Sequence, residues 1–255
     1  AYAVNYLPRG RHGWFYALLT FFAAAMLGLV LADDVVLMWV MWEFTTITSF
    51  LLILQSGPKG RDPAIRTLVV TGGGGLCLLA AVALMVAATG TTDLSAILAS
   101  PEWHAHPGRT GVVATLVAVA AFTKAAQFPF HGWLPDAMVA STPVSAYLHA
   151  AAMVKAALYL LLRFTTLFHD VAIWNVLLVG VGLWTAIYGA VLALQRHDLK
   201  ELLAYSTISQ LGLLVATIGL GTAYAVIAAI AHVLAHAVFK SGLFMAVGLI
   251  DHEAG

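Results

Sequence analysis

The chain has 255 residues, 62% of them hydrophobic and 9% charged, with 12 Lys and Arg against 12 Asp and Glu and a mean hydropathy of +0.93. A soluble domain carries about 25% charged residues and about 45–50% apolar ones. The deficit excludes a soluble enzyme, a nucleic-acid binder and a disordered linker, and names lipid as the solvent.

Zero net charge points to no partner. The one cysteine, Cys77, lies in an apolar run, so no intramolecular disulfide forms and no redox compartment is implied. The chain opens on a helix-like Ala1–Leu7 and reaches Asp251-His252-Glu253-Ala254-Gly255 without a terminal logic. It reads as an excerpt of a longer membrane protein.

A spanning helix needs about 20 apolar residues. In chain order the expected spans are Trp14–Leu31, Asp34–Gln55, Arg66–Thr89, Thr110–Gln127, Pro143–Arg163, Val171–Leu194, Leu202–Leu220 and Tyr224–Ile250. The fold class is therefore an all-α polytopic membrane protein of about eight transmembrane helices, with residues 1–255 forming a single transmembrane unit. Gly72–Gly75 is a glycine run inside a span; no Gly-Lys-Ser/Thr follows it, and close helix packing accounts for it. Pro129 and Pro135 cannot continue a helical ladder, so the fourth span is expected to break near Pro129, with a short second half to Ala140. Such a break should leave free carbonyls beside Lys124, tolerated only inside protein or beside water, and broken helices belong to transporters. His131 sits by the break, where it would satisfy some of those carbonyls.

Loop cations fix the orientation. Arg9, Arg11, Lys59, Arg61, Arg66, Arg196 and Lys200 share one side; Arg109 and Arg163 hold the other. The positive-inside rule then puts the N-terminal end and Asp251–Gly255 in the cytoplasm of a multi-pass cell-membrane protein.

Subtracting these loop cations leaves Lys124, Lys155 and Lys240 deep in apolar segments, with Glu43, His149, His232 and His236 also inside spans. Glu43 stands nine residues past Asp34, roughly 13 Å along the helix and near the membrane centre. Each buried charge costs at least ~2.5–3.5 kcal/mol, and seven such groups are unlike a random scatter. A lone intramembrane lysine such as Lys155 can be a structural salt bridge or can snorkel, and a lone buried histidine such as His149 is usually a hydrogen-bonded core residue. His232, His236 and Lys240 differ, because i, i+4, i+8 spacing puts them on one helix stripe with successive members about 6 Å apart. That stripe should point at Lys124, Lys155 and His149 rather than at lipid. A water-bridged ladder of titratable groups at that spacing suits proton transfer. Lys and Glu titrate near about 10.4 and about 4.3 in water, burial brings such groups toward neutral pH, and histidine is already there. Pairing Lys124 with Glu43 would hold a proton that weakening the pair releases. Two rivals remain: His232-Val-Leu-Ala-His236 lacks the Glu of a zinc-protease helix, and a bis-histidine haem, for example on His149 and His232, leaves Lys124, Lys240 and Glu43 unexplained. No metal or cofactor is expected.

Lys124-Ala-Ala-Gln-Phe-Pro-Phe-His-Gly-Trp-Leu-Pro-Asp-Ala-Met138, Thr142-Pro-Val-Ser-Ala146, Leu148-His149, Leu203-Ala-Tyr-Ser-Thr-Ile-Ser-Gln-Leu-Gly212 and His232 through His236-Ala-Val-Phe-Lys240 resemble the proton-pumping antiporter-like family. That family includes large membrane-arm subunits of respiratory complex I, related hydrogenase subunits and the Mrp multi-subunit Na⁺/H⁺ antiporters. Trp42-Glu43-Phe-Thr-Thr-Ile-Thr-Ser-Phe-Leu-Leu-Ile53 and Gly248-Leu-Ile-Asp-His-Glu-Ala-Gly255 resemble the A-type subunit of the Mrp branch. The resemblance implies that Glu43 is the family's carboxylate and Lys124 its broken-helix partner. It implies that His149 and Lys155 connect, and that His232, His236 and Lys240 form the last relay in view. Ser141, Ala152 and Ala157 depart from the family's usual Pro, Thr and Gly and touch no relay position. The implied function is proton translocation coupled to Na⁺ export, with other subunits of the complex, H⁺, Na⁺ and the lipid bilayer as partners. The alternative is a proton-pumping membrane subunit of an NADH-quinone oxidoreductase or membrane-bound hydrogenase.

Overall fold

The structure, a computed structural model, describes residues 2–6 and 12–254. Arg9 and Arg11, counted above for orientation, lie outside the described residues, as do Ala1, Leu7 and Gly255. In chain order the helices are α1 (Tyr2–Tyr6), α2 (Gly13–Leu31), α3 (Val35–Leu54), α4 (Arg61–Thr89), α5 (Leu94–Leu98), α6 (Glu102–Ala105), α7 (Pro107–Lys124), α8 (Trp133–Asp136), α9 (Thr142–Ser145), α10 (Met153–Phe168), α11 (Ala172–Leu194), α12 (Leu199–Gly219) and α13 (Ala223–Ala254). The described residues form no strand, only an isolated bridge between Asp34 and Asp93.

Helix ends follow local chemistry. Asp34 opens α3, its carboxylate accepting from the Leu37 N–H at 2.8 Å. Asp198 does the same for the Glu201 N–H at 2.8 Å at the start of α12. Such side-chain acceptors satisfy donors that the first helical turn leaves free. Hydrogen bonds from the Thr92 side chain and the Leu37 amide hold the Asp34 carboxyl below the usual carboxylate range. Gly90 closes α4 at φ 72°, a left-handed position that a side chain disfavours.

Seven helical segments among the described residues are long and apolar enough to cross a membrane, and the protein is an all-α multi-pass membrane protein. The fourth expected span, Thr110–Gln127, is present as α7, but it is not one of the seven. Its first turns hold Gly108, Arg109 and Thr110, its last residue is Lys124, and most of its second half is buried. A helix screened from lipid by its neighbours does not need a lipid-compatible surface. α11 and α12 touch backbone to backbone: a methyl on Gly182 would lie 2.6 Å from the Ala216 nitrogen. Small residues at such a crossing let membrane helices pack without a hydrophobic driving force.

The break near Pro129 is real and starts earlier. α7 stops at Lys124, Ala126 takes a positive φ of 49°, and Phe128–Pro129 is a cis peptide. A 3-10 turn (Phe130–Gly132), α8 and a second 3-10 turn (Ala137–Val139) complete the short second half. Three of the carbonyls at this end are taken up, contrary to the expectation that the break leaves them free. Phe122 accepts from the Gln127 N–H at 2.9 Å, Thr123 from the Trp133 indole at 2.8 Å, and Ala125 from the Gln127 side chain at 2.8 Å. A second irregularity has no counterpart in the sequence pattern: Ala146–Ala152, between α9 and α10, is π-helical.

The two sides separate as the loop charges require. Arg66 pairs with Asp136, and Arg196 with Glu201 at 3.4 Å, on one face. Arg163 pairs with Asp33 at 3.1 Å on the other. These exposed pairs contribute little stability; they mark the two surfaces.

Candidate functional site

The polar residues inside the bundle fall into two groups. In the first, α3 carries Glu43 and α7 ends on Lys124, which is fully buried. The Lys124 ammonium donates to the Trp42 carbonyl at 2.6 Å and the Thr45 hydroxyl at 2.5 Å, and lies 4.0 Å above the Trp42 ring. Glu43 and Lys124 interact electrostatically but are not in ion-pair contact. The expected direct pairing is thus replaced by a lysine held on α3 by Trp42 and Thr45, the residues that flank the carboxylate's position. Glu43 itself folds against Gly75 of α4.

In the second group, α10 contributes Lys155, and α13 contributes His232, His236 and Lys240. The Lys155 ammonium contacts His236 Nδ1 at 2.8 Å and donates to the Ala150 carbonyl, which the π-helical stretch presents to it. His232 Nε2 contacts the Gln210 side-chain oxygen at 2.8 Å, and its ring centroid is 6.4 Å from that of His236. Lys240 donates to the Ser206 hydroxyl and the Leu203 carbonyl. The α13 stripe therefore faces α10 and α12, as the cost of exposing three polar groups to hydrocarbon demands. Of Lys124, Lys155 and His149, the three groups expected to receive it, contact is made with Lys155 alone.

His149 stands between the groups, in the π-helical stretch. It is fully buried, its ring centroid is 5.7 Å from that of Trp133, and neither ring nitrogen has a hydrogen-bond partner among the described residues. Trp133 in turn holds the carbonyl of Thr123, the neighbour of Lys124. His131 does not serve the break: it packs on Phe128 and edge-on to Tyr188, with Nδ1 unbonded.

The sequence pattern did not single out Thr45, Ser206, Gln210 or Gly75. Ser206 and Gln210 are one turn apart on α12 and receive Lys240 and His232, which are two turns apart on α13. That i, i+4 polar pair inside a span was the available signal. Among the described residues, none of Lys124, Lys155 and Lys240 has a carboxylate within 4.0 Å. Lys155 is therefore neither a structural salt bridge nor a snorkelling side chain; its ammonium is directed inward.

A cleft of about 720 Å³ opens on the Arg66 face, lined by Asp62, Arg66, Asp136, Arg196, Glu201 and Tyr205 among others. Tyr205 borders it, and the next residue, Ser206, receives Lys240.

A multi-helix membrane bundle with a broken helix and a buried lysine–histidine axis is the architecture of an antiporter-like subunit. The chain matches the family described as NADH:quinone oxidoreductase/Mrp antiporter, TM over residues 32–255, and it belongs to that family. Within it, the relatives mark an A-type subunit of the Mrp branch. A Staphylococcus aureus protein bearing the name antiporter subunit mnhA2 is 43% identical over 272 residues, covering 100% of this chain and 34% of the relative. A chain in the structure of the Mrp complex from Dietzia sp. DQ12-45-1b is 66% identical with a TM-score of 0.98, over 100% of this chain and 28% of that one. A chain of the membrane-bound sulfane sulfur reductase, an archaeal respiratory membrane complex, is 29% identical with a TM-score of 0.86, over 92% of this chain and 49% of that one. This chain spans about a third of the length of the curated relatives it matches.

Proposed function

We propose that residues 1–255 act as one proton-conducting unit of a multi-subunit Na⁺/H⁺ antiporter in the cell membrane. Protons pass along Glu43, Lys124, His149, Lys155, His232, His236 and Lys240, and their movement is coupled to Na⁺ export. The observation that carries this is the Lys155–His236 contact at 2.8 Å: two buried titratable groups from different helices share one hydrogen bond, with no carboxylate beside them. A structural pair would match opposite charges; a shared proton between two bases is a transfer step. The cleft beside Tyr205 supplies access to Lys240 from the Arg66 face, which the positive-inside rule puts in the cytoplasm.

The partners in this reading are the other subunits of the complex, H⁺, Na⁺ and the surrounding lipid. The protein is a secondary-transporter subunit with no reaction of its own. The second reading, a proton-pumping subunit of a redox enzyme, has the respiratory reductase chain in its favour. The higher identity to the Mrp complex chain favours antiport.

The test uses vesicles containing the complete complex. With an imposed pH gradient, adding Na⁺ should dissipate it with no electron donor present. Gradient changes that require an electron donor would support the redox reading instead.

A further inference from the structure

We propose that Gly75 is a positioning residue for the relay, keeping open the space that holds the Glu43 carboxylate; this rests on the relay reading above. Among the described residues no hydrogen bond holds that carboxylate, whose one resolved partner is the charge of Lys124. Its place is therefore set by the room left for it. That room is on α4. Trp39 and Glu43, one turn apart on α3, meet the same strip of α4, and the Trp39 indole donates to the Gly75 carbonyl at 3.0 Å. This bond fixes the α4 backbone against α3 at the level of Glu43. A methyl placed on Gly75 would overlap the carboxylate, standing 2.7 Å from its carboxyl carbon.

What the methyl would strike decides the outcome. The obstacle at Gly75 is the end of a flexible side chain, so the carboxylate moves and the helices stay. At Gly74 a methyl would meet Thr123, 2.9 Å from its Cβ, and a short β-branched side chain cannot swing clear. Gly72 and Gly73 have nothing within 4 Å. Four consecutive glycines thus divide into two open positions, one packing position and one that shapes the site.

The test compares variants of the complete antiporter complex in vesicles, reading Na⁺-driven proton flux and the assembly of the complex. Gly75→Ala should assemble and lose flux by about tenfold, while Gly72→Ala and Gly73→Ala keep wild-type flux. Glu43→Asp draws the carboxylate back by about 1.5 Å, one carbon–carbon bond. It should lower flux in the wild-type background and raise it in Gly75→Ala, a reversal of sign that a packing role does not produce. Wild-type flux in Gly75→Ala alongside an inactive Glu43→Gln overturns the positioning role alone. Wild-type flux in Glu43→Gln overturns the relay reading beneath it. Failure of Gly75→Ala to assemble, unrepaired by Glu43→Asp, also overturns the proposal, because the glycine would then serve helix packing.

Discussion

Glu43→Gln should leave the complex assembled and cut Na⁺-driven proton flux by about tenfold or more. The substitution keeps the side-chain volume beside Gly75 and removes only the charge that faces Lys124. Two unit charges at 4 Å interact by about 4 kcal/mol at an effective dielectric of about 20. Glu43 and Lys124 stand farther apart than that, so their coupling is smaller, yet about 1.4 kcal/mol already changes a rate tenfold. The Lys124 ammonium keeps its bonds to the Trp42 carbonyl and Thr45, which is why the fold survives. Flux measured in vesicles at several Na⁺ concentrations, with assembly checked, reads the effect. Unchanged flux removes Glu43 from the relay, and loss of assembly makes it a structural residue.

Lys155→Ala and His236→Ala should each nearly abolish proton movement, with the double variant hardly worse than either. The two side chains share one 2.8 Å contact, so deleting one leaves the other without its transfer partner. Contacting residues give coupling energies of about 0.5–3 kcal/mol in such cycles. Single effects that add fully would mean that the two groups lie on separate routes. The same cycle for Lys155 with Lys240, which have no direct contact, should also be non-additive, because both side chains lie on the one proposed route.

The spans were legible because lipid imposes one rule on the whole segment: about 20 apolar residues with every backbone group satisfied internally. The observed α2, α3, α11 and α13 begin and end within a few residues of the expected limits. The break after α7 was legible from Pro129 and Pro135, but its position was not. It falls at Ala125–Gln127, where the Gln127 and Trp133 side chains, three and nine residues past the helix end, take up the Ala125 and Thr123 carbonyls. The π-helical stretch at Ala146–Ala152 holds no proline or glycine, so no local signal announced it. Its effect is visible only in space, where the Ala150 carbonyl meets Lys155. The titratable members of the site were legible because charge in a membrane is costly and stands out. Ser206, Gln210 and Thr45 were not, since hydroxyls and amides are ordinary inside helices and gain their meaning from what lies across the interface. Gly75 was legible as a glycine and illegible as part of the site, because its role is the absence of a side chain.

The most direct measurement of the central claim is Na⁺-driven proton flux in vesicles carrying the complete complex with Lys240→Arg. Lys240 is buried, and its ammonium rests on the Ser206 hydroxyl and the Leu203 carbonyl. Arginine keeps the positive charge and can reach the same acceptors, but its guanidinium does not release a proton at accessible pH. If protons pass through this side chain, flux falls close to background across the pH range while the complex assembles normally. Wild-type flux in Lys240→Arg would show that position 240 supplies charge rather than a transferable proton, and the account of a lysine–histidine relay on α13 would be contradicted.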